Sequence, residues 1–247
     1  MNRIIKHCLT AACISLLAGC GLIDFAYNNA PSFVASEFED AFDLSASQSR
    51  QLDSRLDQFF NWHRREELGR YRQLLEQAAL SAEDGITAAE FLQLNNDVRV
   101  AWQRSLEKAI DSFGDLVVTL DQKQIEHYQR YHLKAAEEYR DYLEKSAQQR
   151  EIYRVQRSID RLEKLFGNFA QDQEEKIMAR LQQLPDFYEP WINFREARQQ
   201  ALVKALGEAT EAGITRQQLK TILLDPTTDH ARAFEPARRS YWQAYAA

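Results

Sequence analysis

The chain has 247 residues, of which 45% are hydrophobic and 28% charged, with 37 acidic against 31 basic side chains and a formal net charge of −6. The length suits one large domain or two small ones, and the acidic balance argues against nucleic acid and against broad contact with anionic head groups.

The first elements are those of a leader. Arg3 and Lys6 precede an apolar run from Cys8 to Leu17, and small residues follow, the order of a secretory signal. A run of about ten apolar residues is too short for a span, which needs roughly 20, so residues 1–19 are expected to be cut away. Leu17-Ala18-Gly19-Cys20 resembles a bacterial lipobox. The resemblance implies cleavage between Gly19 and Cys20, acylation of Cys20 and an address in the cell envelope. It also implies a stable anchor, because a lipobox cysteine normally carries more than one acyl chain. Gly21 stands where inner-membrane retention would need Asp, which by the sorting rule implies the outer membrane, facing the periplasm. Cys8 and Cys13 fall within the leader, so Cys20 is the single cysteine of the expected mature chain, and a disulfide or cysteine metal site is excluded there. The leader takes two basic residues and no acidic one, leaving 228 residues with a net charge of −8.

Residues 20–32 read as a lipidated tether and 33–247 as a single all-α domain. Strand alternation is missing; apolar residues recur every three or four positions. Phe91, Leu94, Val98, Trp102, Leu106, Ile110, Phe113, Val117 and Leu120 make one stripe. Leu52, Leu56, Phe60, His63, Tyr71 and Leu75 make another, interrupted at Glu67 and Leu68. Such stripes drive helix packing. Ser45…Gln48, Thr87…Glu90, Asp121…Gln124 and Thr215…Gln218 have the spacing of capping boxes, and Gly85, Gly167, Gly213, Pro185 and Pro226 mark stops. The expected fold is an irregular bundle of about eight helices: 33–42, 46–80, 88–119, 122–166, 172–184, 187–211, 216–224 and 230–245. In 122–166 the apolar phase slips between Leu143 and Ile152; either the helix breaks near 145–151 or it changes neighbours there.

Two stretches echo each other. Trp62 and Trp191 are each followed by an Arg-Glu pair (Arg65-Glu66, Arg195-Glu196) and then by Gly-Ile-Thr, with Trp-to-Ile distances of 24 and 23 residues. We read pseudo-repeats at about 46–110 and 172–240 flanking the central 122–166 segment, the product of a degenerate duplication.

The sharpest candidate for chemistry is His63 with Glu66 and Glu67. One helical turn separates His63 from Glu66, so a metal could bridge them. The second stretch has no matching His, and the competing reading is that Trp62 packs while His63, Arg64 and Glu67 form a polar network. Tyr128, Tyr131, Tyr139, Tyr142 and Tyr153, interleaved with Arg130, Lys134, Arg140 and Arg150, form either a binding face or a core edge. No phosphate loop, nucleophile elbow or His-Glu-x-x-His run occurs. No cofactor and no catalytic residue is therefore expected. Trp62, His63, Arg64 and Glu66 remain as a binding or structural motif.

The lipobox, Tyr27-Asn28, Phe42-Asp43-Leu44-Ser45-x-x-Gln48 and Trp62-His63-Arg64-x-Glu66-x-Leu68 together resemble a family of uncharacterised Gram-negative, gammaproteobacterial lipoproteins, which has no assigned activity. Leu44-Ser45-Ala46-Ser47-Gln48 and Leu120-Asp121-Gln122-Lys123-Gln124 are similar to the Leu-Thr-x-x-Gln motif of small periplasmic chaperones, with Ser or Asp in place of Thr. The expectation is a non-enzymatic binding scaffold or chaperone-like lipoprotein, held at the membrane by its lipid and meeting an envelope protein or polypeptide. The competing expectations are a peptidoglycan hydrolase or lyase using a single Glu, and a metal-binding protein.

Overall fold

The computed structural model describes residues 25–208 and 216–246, apart from the side chains of residues 138 and 165. The fold is all-α, and no strand occurs among the described residues. Helix α1 covers 25–42. It is followed by α2 (Ala46–Trp62), a π-helical turn (His63–Glu67), α3 (Leu68–Glu83), α4 (Ala88–Val117) and α5 (Gln122–Leu143). Then come α6 (Ala147–Phe166), α7 (Gln171–Gln182), α8 (Tyr188–Glu208), α9 (Arg216–Leu224) and α10 (Asp229–Ala246).

The expected caps at Ser45, Thr87 and Asp121 are reciprocal: each side chain takes the N–H three residues on, and Gln48, Glu90 or Gln124 returns the bond. Gly85 and Gly167 end their segments in the left-handed region, at φ 87° and 81°, where a Cβ would be strained. Gly213 and the Thr215 cap lie outside the described residues.

Two expected boundaries are corrected. Residues 25–32, assigned to the tether, are helical, and α1 runs through Pro31. Proline removes one helix donor, which is why it reads as a start rather than an interior residue. The segment 122–166 is not one helix. It ends at Leu143 and restarts at Ala147, where Ser146 and Gln149 form a capping box that needs neither Gly nor Pro.

Helix α4 is the common support, packing against α2, α3, α9 and α10. One core joins Leu52 and Leu56 of α2 to Phe113 and Leu116 of α4. Fully burying Leu52 or Leu56 contributes about 2 kcal/mol. A second core gathers Ala41 and Phe42 of α1, Ile110, Ile125, Tyr128, Leu206 and Leu219, so α1, α4, α5, α8 and α9 meet there. A third, made of Val155, Ile159, Leu181 and Leu184, holds α6 to α7, with Tyr241 of α10 against it. The expected stripe of α4 holds from Leu106 onward. Before it, Phe91 packs against Trp242 and Tyr245 of α10, but Val98 and Trp102 face outward, 53% and 65% exposed, because Ala101 and Ser105 are the residues turned inward; there Ser105 meets the Tyr71 hydroxyl of α3 at 2.9 Å.

The capping glutamines have a second role. Gln48 and Gln124 are both buried and exchange amide bonds, Nε2 to Oε1, at 3.1 and 2.8 Å. Gln48 also donates to the Thr119 carbonyl at 3.1 Å, and Gln124 to the Asp43 carbonyl at 3.0 Å. Asp43 is in the left-handed region at φ 49°, and its carbonyl meets that amide. The two Leu-x-x-x-Gln segments therefore form one buried polar joint between α2 and α5, with its capacity for hydrogen bonds well used.

Candidate functional site

Gly19 and Cys20 lie outside the described residues. Of the other candidates, Trp62 closes α2, packs 5.8 Å from the Phe59 ring and carries the Lys108 ammonium 5.6 Å above its own. The next five residues form the π turn, in which the Leu68 N–H bonds the His63 carbonyl. Such a turn adds a residue to the helical repeat and rotates the helix beyond it. That rotation is what the break in the stripe at Glu67 and Leu68 records. It turns Glu67 fully inward, at 0% exposure. Glu67 Oε1 accepts from Arg104 Nη2 at 2.7 Å, with Arg70 Nε 3.8 Å away, while Oε2 has no partner.

The Tyr27 hydroxyl stands 2.9 Å from His63 Nδ1, and the Tyr71 ring is 5.5 Å from the imidazole. Burial lowers the His63 pKa and Glu67 partly offsets it, so the ring is neutral at pH 7. Arg64 donates to Asn28 Oδ1 at 3.2 Å and lies over the Tyr27 ring. Glu66 is exposed. The spacing that would join His63, Glu66 and Glu67 around a metal assumes a regular helix; the π turn instead gives the three different surroundings. Among the described residues no group of three or more His, Cys, Asp or Glu side chains is placed to hold a metal ion. His63, Arg64 and Glu67 tie α1, the π turn and α4 together.

The tyrosine series resolves mainly into a core edge. Tyr128 stacks on Phe42 at 4.3 Å, and Tyr142 is buried with its hydroxyl on Asp186, whose charge and the burial both raise its pKa. Tyr139 is different. Its hydroxyl accepts from Arg195 Nη1 at 2.9 Å, and it stands beside a cavity.

The larger cavity of this region, ≈ 450 Å³, lies where α1, α4, α5, α8 and α9 meet. Its lining is predominantly apolar: Phe38, Ile110, Val117, Leu202, Leu206 and Leu223 are representative. A second opening of ≈ 270 Å³, the one beside Tyr139, runs between α5 and α8 past Leu133, Ala136 and Val203. His132, Arg195 and Gln199 line both, so the two meet at those residues. Arg198 lines the larger one.

The polar groups at this junction are short of partners. Arg198 sits over the Phe194 ring at 5.0 Å and has no hydrogen bond or ion pair among the described residues. Burial and the neighbouring charge of Arg195 lower its pKa, yet a guanidinium stays charged. Arg195 bonds only Tyr139 among the described residues and lies over the Tyr139 and Trp191 rings, at 4.7 and 5.6 Å. Gln199 accepts from the Tyr128 hydroxyl at 3.2 Å, but its buried Nε2 has no partner. His132 is pushed toward neutrality by burial and by Arg195. The carboxylate on the cavity lining, Glu37, is exposed and takes the Tyr131 hydroxyl at 3.0 Å. Glu196 lines the smaller opening and is turned to Arg140 at 3.8 Å. Two cations and an amide donor therefore face an apolar space, with no carboxylate of the described residues within ion-pair distance of either cation, a costly arrangement.

A third opening, ≈ 340 Å³, lies among α6, α8 and α10, with Arg154, Arg157, Tyr188, Trp191 and Tyr241 on its walls. Two of its arginines are engaged. Arg154 donates to the Pro185 carbonyl at 3.2 Å with Asp186 at 3.9 Å, and Arg157 donates to the Tyr153 hydroxyl at 2.6 Å.

From the sequence, the motif at Trp62, His63, Arg64 and Glu66 is expected to bind or to be structural; Trp62, His63 and Arg64 make contacts between helices, and the cavity lies beside the other end of the echo. In the sequence Arg195 stands out only as half of an Arg-Glu pair, and Arg198 and Gln199 do not stand out at all. A signal existed. Ile192, Arg195, Gln199, Leu202 and Leu206 share one helical face, so the polar members interrupt an inward stripe.

The chain belongs to a family of unknown function, DUF6279, whose model matches residues 40–233. The expected membership of a family without assigned activity is borne out. The match covers the π turn, the paired glutamines and the whole α5–α8 junction, and it starts after Cys20. No curated protein and no solved structure matches the chain.

Proposed function

We propose that this DUF6279 member is a lipid-anchored protein of the bacterial envelope that works by binding rather than by chemistry. Cys20 is its anchor, the outer membrane its site and the periplasm the side it faces. The observation that carries the binding reading is the α5–α8 junction, where Arg195, Arg198 and the Gln199 amide border an apolar cavity and no carboxylate of the described residues pairs with either arginine. Concave, mostly apolar spaces with a few convergent polar groups are what ligand sites look like. The anchor reading rests on the sequence, on the Leu17–Cys20 run and on Gly21 after it. Consistent with an anchor that is not a span, no described helix is long and apolar enough to cross a membrane.

The lining also bears on catalysis by a single Glu. Glu37 is exposed at the cavity and bonded to Tyr131, Glu196 at the smaller opening faces Arg140 at 3.8 Å, and Glu67, the fully buried carboxylate away from both openings, is tied to Arg104. Each is either exposed or faced by a cation, unlike the desolvated, unpaired setting of a general acid.

The test is made in cells. Labelled palmitate should enter the wild-type chain and not Cys20→Ala, and Cys20→Ala should leave the outer-membrane fraction; Gly21→Asp should shift the protein to the inner membrane. Retention of label and membrane by Cys20→Ala would overturn the anchor. Release of muropeptides by the purified chain, lost on substituting one Glu, would replace binding with hydrolysis.

A further inference from the structure

The geometry points to a specific ligand chemistry at the α5–α8 junction: a single-chain amphiphile with an anionic head, its tail in the apolar cavity and its carboxylate or phosphate on Arg195, Arg198 and Gln199. The inference rests on the binding reading above and adds what is bound.

Charge sets the head. Arg195 and Arg198 are one helical turn apart on α8, and no carboxylate of the described residues stands within ion-pair distance of either. A guanidinium presents forked donors suited to carboxylate and phosphate, and such bonds are strong away from water. The free Nε2 of Gln199 adds a donor at the same place. A cationic ligand would meet two like charges, and a neutral one would leave both arginines unanswered.

Shape and polarity set the tail. Beyond this polar end the cavity is walled by Phe38, Ile110, Val117, Leu202, Leu206 and Leu223, from α1, α4, α8 and α9. A free inorganic anion would fill the polar end and leave that wall in contact with water; an alkyl chain would cover it, with a gain that grows with each CH₂ buried. Tyr128, whose hydroxyl bonds Gln199, stands at the same end and can orient a head group without opposing it. The smaller opening between α5 and α8, which shares His132, Arg195 and Gln199, gives the head a second side to approach.

The test uses the full-length chain, purified with its anchor and held in amphipol, and titrates it by calorimetry with dodecanoate, dodecyl phosphate, dodecanol and inorganic phosphate. The expected result is that both anionic amphiphiles bind once per chain. Dodecanol should bind about tenfold more weakly, since it lacks the charge-assisted bonds. Inorganic phosphate should bind about a hundredfold more weakly than dodecyl phosphate, since it lacks the tail. Arg198→Met should weaken dodecanoate about tenfold and leave dodecanol unchanged. Gln199→Leu should act in the same direction with a smaller effect. Leu202→Trp, which fills the apolar end, should weaken dodecanoate and dodecanol alike.

Equal affinity for dodecanoate and dodecanol overturns the anionic head. Equal affinity for inorganic and dodecyl phosphate overturns the tail and leaves a simple anion site. No binding by a chain that still unfolds cooperatively overturns the proposal. Failure of the anchor would instead appear as unchanged fractionation of Cys20→Ala, which the titration does not read.

Discussion

Five residues after Trp62 stands Glu67, and five after Trp191 stands Glu196. Both place a buried carboxylate oxygen without a hydrogen-bond partner, and both follow a tryptophan with a cation over its ring. Their surroundings then part. Glu67 is wholly buried and answered by Arg104 at 2.7 Å; the cation and the anion come from α4 and the π turn, and they close on each other. Glu196 is turned toward Arg140 at 3.8 Å, away from the arginines on its own helix. Arg195 and Arg198 are left facing the cavity. In the first region each buried charge has an answer within the chain, so the charges hold helices together. In the second no carboxylate of the described residues pairs with Arg195 or Arg198, since Glu196 is turned to Arg140 and Glu37 to Tyr131, so the two cations are answered only with something else present.

The largest expected effect comes from exchanging one arginine in each region. Arg104→Met leaves the fully buried Glu67 with Arg70 alone, 3.8 Å away and half exposed. Breaking a buried pair on one side costs about 3–5 kcal/mol, and the partial exposure of Arg104 favours the lower end, ~3 kcal/mol. Adding Glu67→Gln should recover part of that loss. Arg198→Met removes a cation that has no partner among the described residues and leaves an apolar chain of similar length beside Phe194. Its expected cost is within about 1 kcal/mol of zero, of either sign, with ligand binding weakened. Urea denaturation of the three variants measures this. If Arg198→Met is as damaging as Arg104→Met, Arg198 has a structural partner and the contrast between the regions fails.

The Gln48–Gln124 joint sharpens the same contrast from the closed side. Gln48→Leu should leave a Gln124 donor and the Thr119 carbonyl without their partner, at a cost of about 1–3 kcal/mol. Gln124→Leu should behave alike, and the double variant should cost less than the sum of the two, because both halves of the amide exchange are then gone. Gln199→Leu is the matched change in the open region. Its Nε2 is already unanswered, so the loss is confined to the Tyr128 bond, about 1 kcal/mol. Equal losses at Gln48 and Gln199 in thermal unfolding would mean that Gln199 is as well satisfied as the joint.

Much of the frame is legible in the residues. Capping boxes at Ser45, Thr87 and Asp121 and stops at Gly85 and Gly167 act over one turn, so local chemistry decides them. The missed boundaries have the same scale but weaker marks. Ser146…Gln149 is a capping box within a continuous polar-apolar pattern, and Pro31 reads as a start although the helix passes through it. The π turn left a legible trace as a break in the stripe at Glu67, but which way Glu67 turns depends on Arg104, 37 positions away in α4. The junction was hidden for the same reason. That Arg198 lacks an anion is a fact about α1, α4, α5 and α9 as well as α8, and spacing along α8 alone cannot state it. Only the interruption of an inward stripe by Arg195 and Gln199 was there to be read.

The smallest effect concerns the two histidines. Burial lowers the pKa of both, with Glu67 opposing the shift at His63 and Arg195 adding to it at His132. The folded values then lie below the unfolded one, about 6.5. Between the two values the unfolded chain binds more protons than the folded chain, so stability rises with pH in that window. Above about pH 6.5 both rings are neutral in both states and contribute no slope; below it, stability is lost progressively as the pH falls toward the folded pKa. The opposed signs of Glu67 and Arg195 predict that His132→Asn removes more of this acid-side slope than His63→Asn. They also predict that an anion on Arg195 and Arg198 offsets the repulsion at His132 and raises its pKa, while His63, whose partners are within the chain, does not move. Imidazole resonances followed by NMR with and without dodecanoate read both. A His63 shift equal to the His132 shift would remove the distinction between a closed charge set and an open one.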